Sequence, residues 1–202
     1  MRNDIVFVSF FTPDGNYPDL ARKLVTSLDK FKLPWQVDEF PSFGSWQKGT
    51  ANKSQFIKSM MARYNRTVVW LDIDTEVWQF PELLYGPQDF AIYNFSKDTD
   101  HHLEGRIDTS KMLCAGGVIK FGNTPGANDL LTRWSNVMKT STIEDDPELD
   151  QLYNEGADVD VLWLPKTYNR MDKHTHHWSS IPNDQVVINH DYTGGRHGNW
   201  VT

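Results

Sequence analysis

Cysteine is nearly absent from this 202-residue chain, which contains one, Cys114. A single thiol excludes an internal disulfide and a zinc site built from thiolates. A basic excess is also lacking. Lysine and arginine total 20 against 27 acidic residues, for a net charge of −7 and an isoelectric point near 5.4. A nucleic-acid partner is therefore not expected. No apolar run approaches the roughly 20 residues of a spanning helix, so no membrane span is expected. The stretch Ile5–Phe11 is too short for a signal peptide and has no basic lead-in. The expected setting is soluble, reducing and cytoplasmic. A Walker-type phosphate loop, a Gly-x-Ser-x-Gly elbow and an HExxH helix are missing as well.

What the chain does have is aromatic residues, 13% of the total, with eight tryptophans. Such side chains fill a dense core or line a pocket for sugar rings or bases. The length and the 39% hydrophobic content imply one domain spanning 1–202. Short β-rich runs alternate with helical periodicity, the pattern of an α/β domain. Strands are predicted at Ile5–Phe11, Gln36–Phe40, Thr67–Asp72, Phe90–Tyr93, Gly117–Phe121, Val159–Leu164 and Val186–Ile188. Helices are predicted around Leu20–Phe31, Phe56–Tyr64, Pro125–Met138 and Glu148–Asn154, with loops over Ser96–Lys111 and Pro165–Ser180.

The informative segment is Val68-Val69-Trp70-Leu71-Asp72-Ile73-Asp74. An apolar strand feeds directly into Asp-x-Asp, and ligands of open α/β sheets collect beyond the carboxyl ends of strands. If both carboxylates face one pocket, their repulsion at about 4 Å is on the order of 4 kcal/mol at an effective dielectric of about 20. A divalent cation removes that cost, and hard oxygen ligands suit Mg²⁺ or Mn²⁺. Away from such a strand, Asp-x-Asp more often marks a turn or a helix cap.

The segment VVWLDIDTEVWQFPELL resembles the metal-binding stretch of nucleotide-diphospho-sugar transferases with the GT-A fold. Five further pieces follow the family's order. Asn52-Lys53-Ser54-Gln55-Phe56-Ile57 is similar to its Lys-x-x-Phe-Ile stretch. Cys114-Ala115-Gly116-Gly117-Val118-Ile119 is similar to its Asn-Ala-Gly-Val strand. Asp150-Gln151 matches its Asp-Gln pair, and Leu164-Pro165 with Tyr168-Asn169 its Leu-Pro-x-x-Tyr-Asn turn. His190-Asp191-Tyr192-Thr193-Gly194-Gly195-Arg196 resembles its late His motif. The resemblance is nearest to retaining, glycogenin-like members.

The resemblance implies a GT-A (Rossmann-like) three-layer α/β sandwich with a mixed, mostly parallel central sheet. It implies a glycosyltransferase that moves a sugar from a nucleotide-diphospho-sugar, a UDP-sugar, to a glycan, protein or small-molecule acceptor. Mn²⁺ or Mg²⁺ would sit on Asp72, Asp74 and His190. Phe10, Phe11 and Thr12 would frame the base and ribose, although the two phenylalanines equally suit core packing. Lys53, Arg196 and Gly194 would approach the diphosphate, with Gly116 and Gly117 letting the backbone come close. Asp150 and Gln151 would hydrogen-bond the donor sugar or the acceptor and serve catalysis. Cys114 stands where the family has asparagine, and little chain follows Arg196 to build an acceptor domain.

The histidines His101, His102, His174, His176 and His177 lie in polar segments without an acidic partner pattern. Spacing alone does not make them a second metal site. Two other readings of the acid pair remain open at the level of sequence. One is a nucleotidyltransferase or phosphohydrolase, which would need further carboxylates for a second metal. The other is a non-catalytic carbohydrate- or nucleotide-binding module of the same fold.

Overall fold

Seven β-branched, aromatic and small residues form β1 (Ile5–Phe11), buried along most of its length. A turn follows, and α1 (Tyr17–Lys30) starts with a proline and Asp19 in its first turn and ends on Lys30. Both ends thus complement the helix dipole. Its stripe of Leu20, Ala21, Leu24 and Leu28 is buried against the sheet. The edge strand β2 (Trp35–Glu39) is the least buried of the parallel set. After it come α2 (Trp46–Ala51), capped by Ser45, and α3 (Lys53–Tyr64), which stops at Asn65 in the left-handed conformation with φ 50°. Next are β3 (Thr67–Leu71), β4 (Thr75–Val77), β5 (Phe90–Asn94) and β6 (Cys114–Phe121). The chain continues through α4 (Pro125–Val137), α5 (Asp145–Asn154), β7 (Val161–Leu164), β8 (Arg170–Met171) and β9 (Ile188–His190). The computed structural model describes residues 4–98, 108–171 and 181–190.

Six strands form the main sheet in the order β2-β1-β3-β6-β5-β7. Pairing is parallel for β1 with β2, β1 with β3 and β5 with β7, and β6 alone runs against its two neighbours. Side-chain alternation along the strands divides the core. Val69 and Leu71 join Phe7, Leu24 and Leu28 on one face, whereas Val68 and Trp70 join Ile57, Ile119 and Trp134 on the other. A small sheet, β4-β9-β8, packs with the α1 side through Val77, Met171 and Ile188. The result is a three-layer α/β sandwich with a mixed, mostly parallel central sheet.

Several elements differ from the sequence pattern in ways that matter for the site. β6 begins at Cys114, not Gly117, and its pairing with β5 is irregular. Ile92 faces Ile119, but the next residue, Tyr93, faces Ala115. Gly116 and Gly117 lie within that irregularity, where the strand bends away from its partner. α5 starts at Asp145, three residues before the expected Glu148, because Pro147 sits in the first turn, where a missing N–H costs nothing. The last strand runs Ile188–His190 and so includes the histidine itself.

Candidate active site

The carboxyl edge of the sheet holds a cleft of about 670 Å³. The helices α2 and α3 follow the parallel strand β2, and Lys53 at the start of α3 reaches this edge; α4 follows the antiparallel β6 and runs back toward it, so α5 starts there too. Lys53 is the first residue of α3, and Asp145 and Asp146 are the first two of α5. Asp72 lies just past β3, where its backbone N–H donates to the Gly117 carbonyl at 2.8 Å. The turn after it brings Asp74 round beside β4. Antiparallel pairing of Thr75 with His190 then places the late histidine next to Asp74.

Three of these side chains converge. Asp72, Asp74 and His190 each offer a ligand atom, all within 4.8 Å of one another. His190 Nε2 is 3.0 Å from Asp74 Oδ1 and 3.8 Å from Asp72 Oδ2. Burial pushes the Asp74 carboxyl upward, but the imidazole beside it outweighs this and holds the carboxyl below its usual range. For the same reason His190, pushed down by burial, is held above its usual value by Asp74 and then Asp72. Among the described residues this is the cluster of ligating groups that meets such a spacing.

Lys53 is 6% exposed and ties the cleft floor together. Its Nζ lies 2.7 Å from Asp145 Oδ2 and 3.3 Å from Asp72 Oδ1, and it donates to the Gly116 carbonyl at 3.3 Å. The ammonium also sits 5.6 Å from the Trp70 ring centroid. Burial works against its charge, yet Asp145, Asp72 and Asp146 together hold it protonated well above the ordinary lysine value. The Trp70 indole donates to the same oxygen, Asp72 Oδ1, at 2.6 Å, while Oδ2 is the oxygen that faces His190.

The acids of α5 form the opposite lip. Asp146 Oδ2 accepts from the Gly116 N–H at 3.0 Å, while its buried Oδ1 has no hydrogen-bond partner. Burial and the neighbouring Asp145 push the Asp146 carboxyl up to about 7. A β-carbon on Gly116 would collide with Asp146 Oδ1, so only glycine fits there. On the facing side the wall is aromatic. Phe10 lies 5.5 Å from Phe40, 5.8 Å from Phe43, 5.3 Å from Phe56 and 5.3 Å from Trp70, ring centre to ring centre. Phe11, Thr12 and Tyr17 also line the cleft, with Phe11 and Tyr17 packed on the α1 side of the sheet.

Nine of the residues singled out from the sequence line this cleft: Phe10, Phe11, Thr12, Lys53, Asp72, Asp74, Gly116, Gly117 and His190. Asp150 and Gln151 are not brought to it. Asp150 is buried more than one helical turn from the start of α5, and its Oδ1 accepts from the Cys114 N–H at 2.8 Å. Burial pushes its carboxyl up to about 6. The Gln151 amide donates to Glu155 on the exposed face of the helix. The acids that do face the cleft, Asp145 and Asp146, belong to the first helical turn, which the sequence pattern, starting this helix at Glu148, leaves out. Arg196 and Gly194 lie outside the described residues, as do His101, His102, His174, His176 and His177.

The six-stranded, mostly parallel sheet has the GT-A fold of solved glycosyltransferases. The chain belongs to the nucleotide-diphospho-sugar transferase family, whose model matches residues 25–198. Solved structures share the fold at low identity. A glycosyltransferase involved in the glycosylation of the major capsid of PBCV-1 aligns with a TM-score of 0.67 at 11% identity, over 94% of this chain and 93% of that one. The galactosyltransferase LgtC, crystallised with donor and acceptor sugar analogues, aligns with a TM-score of 0.55 at 12% identity, over 94% and 87% of the two chains. Mouse xyloside xylosyltransferase 1, in its apo form, gives 0.55 at 13% identity, over 94% and 98%. No curated relative matches the sequence. Among the described residues no helix is long and apolar enough to cross a membrane.

Proposed function

We propose that this transferase depends on Mn²⁺ or Mg²⁺, takes its sugar from a UDP-sugar and passes it with retention to an acceptor hydroxyl. The convergence of Asp72, Asp74 and His190 within 4.8 Å at the cleft floor carries this reading. Two carboxylates and one imidazole are a donor set that suits Mn²⁺ or Mg²⁺ and disfavours soft metals. A bound ion supplies double positive charge beside the diphosphate, where negative charge grows as the sugar leaves.

The chain's own residues supply the rest. Lys53 holds Asp72 in place and offsets the charge of the acids around it, which lets an anionic donor approach an otherwise acidic cleft. Phe10, Phe11, Thr12 and Phe43 form the apolar side that suits a base and ribose. Gly116 and Gly117 let the backbone of β6 come close to the donor. The unpartnered Asp146 Oδ1 is available to a sugar hydroxyl, a role that the family resemblance implies for Asp150 and Gln151. Gly194 and Arg196 are proposed for the diphosphate on the resemblance alone. In the retaining step the acceptor oxygen attacks the anomeric carbon on the face that the diphosphate leaves. The carbon–oxygen bond to phosphate breaks, and the acceptor proton passes to the departing phosphate oxygen.

The test is UDP release from a panel of UDP-sugars, with and without Mn²⁺, followed by NMR of the product anomer. Wild type is expected to turn over at least one donor only with the cation, and Asp74→Ala to lose about 10³-fold in rate. Turnover that survives chelation would remove the cation from the reading. Inversion at the anomeric carbon would remove retention.

A further inference from the structure

Behind the imidazole of His190 lies a polar side chain to which the proposed reaction gives no role. Asn169 follows the short turn Lys166–Tyr168 and leads into β8. It is 0% exposed, and neither its Oδ1 nor its Nδ2 has a hydrogen-bond partner. An amide buried in this way costs about 1–3 kcal/mol relative to a satisfied one, so its retention calls for a reason. The neighbourhood supplies one. A β-carbon built on Gly117 would lie 2.6 Å from His190 Nδ1 and 2.7 Å from Asn169 Oδ1. The two atoms flank one small gap, narrow enough for a rotation of the amide or a single water to connect them. Gly117 keeps that gap open. Its backbone lies outside the left-handed region, so room, and not conformation, is what demands glycine.

The other nitrogen of the ring, Nε2, is the one that faces Asp74 and Asp72. A neutral imidazole ligates through Nε2 only when its proton sits on Nδ1, and a hydrogen-bond acceptor at Nδ1 selects that form. We infer that Asn169 is a positioning residue for the cation site: its Oδ1 accepts from His190 Nδ1–H, directly or through one water, and so presents the Nε2 lone pair to the ion. The inference rests on the cation-dependent reading above. It adds a residue that touches neither donor nor metal.

Mn²⁺ affinity, read from the free-ion EPR signal, and the nitrogen modulation of a directly bound imidazole test it in the intact chain. Asn169→Leu is expected to weaken Mn²⁺ binding by about 10- to 100-fold and to diminish the imidazole signal. Its melting temperature should stay within a few degrees of wild type, because losing the acceptor for His190 Nδ1–H is offset by losing a buried amide nitrogen that has no acceptor. Asn169→Asp keeps an acceptor and should remain within about 3-fold of wild type. Asn169→Ala removes the acceptor without adding bulk and should behave like Asn169→Leu. If Asn169→Leu does not fold, the Asn169→Ala affinity decides by the same criterion. Tight binding by wild type and undiminished binding by Asn169→Leu would overturn this inference alone. Equal affinities for wild type and Asp74→Ala would overturn the cation reading and this inference with it.

Discussion

The two walls of the cleft are built on opposite plans. The aromatic wall, Phe10, Phe43 and Trp70, is backed by Phe40 and Phe56 in a set of rings in mutual contact, each partner replaceable in part by another. The wall of Asp72, Asp145 and Asp146 is held by one cation, Lys53, which touches two of those acids directly. Apolar packing is additive and forgiving, whereas buried charge is neither. One wall therefore tolerates change and tunes affinity. The other concentrates both stability and chemistry in few residues.

Removing Lys53 should break this contrast most severely. Lys53→Met leaves buried carboxylates uncompensated, and losing one partner of a buried pair costs about 3–5 kcal/mol. The melting temperature should drop by roughly 10 °C, measured by calorimetry; a change of a degree or less would mean that the lysine is dispensable. A pH scan of the metal-free protein sharpens the same point. The Asp146 carboxyl is raised to about 7, so its contribution to stability is complete below its ordinary value and is lost as pH rises through about 7. Asp150, raised to about 6, acts in the same direction over a narrower range. Asp146→Asn should therefore melt like wild type near pH 4 and above it by several degrees at pH 8, at about 2–4 °C per kcal/mol.

On the aromatic wall the expected effects are smaller and confined to binding. Phe43→Ala should weaken UDP binding by about 10-fold while leaving kcat within about 2-fold, as read from titration and steady-state rates. A matching fall in kcat would place that ring closer to the reacting atoms than the wall suggests. The smallest effect is expected at Gln151, whose amide bonds to Glu155 on the surface. Gln151→Ala should leave stability within about 0.5 kcal/mol and the transfer rate nearly unchanged, in contrast to any change at Asp146.

The Asp-x-Asp edge was legible in the sequence because it rests on local pattern, whereas of the aromatic wall only Phe10 was singled out, and that through resemblance. A run of β-branched and aromatic residues specifies β3, and its acid terminus follows from chain direction alone. Lys53 and His190 were legible through resemblance and not through spacing, since 116 residues separate His190 from Asp74. The start of α5 was not. Asp145-Asp146-Pro147 reads as loop chemistry unless the proline is recognised as belonging to a first helical turn. That shift of three residues decides which acids reach the cleft. α2 escaped notice because Trp46–Ala51 has no apolar period, and β4 and β8 because strands of three and two residues carry almost no pattern. Asn169 was visible as part of a turn, but its isolation behind His190 depends on how β6 bends, which no local signal encodes.

The ladder between β4 and β9 has a consequence for synthesis of the chain. A ribosome adds about 5–20 residues per second, so both aspartates emerge well before the histidine. All six strands of the main sheet are complete by Leu164, and the imidazole arrives only with the last strand described. A translation product cut short between those points would own the full sheet and the acid pair yet lack the imidazole that meets them.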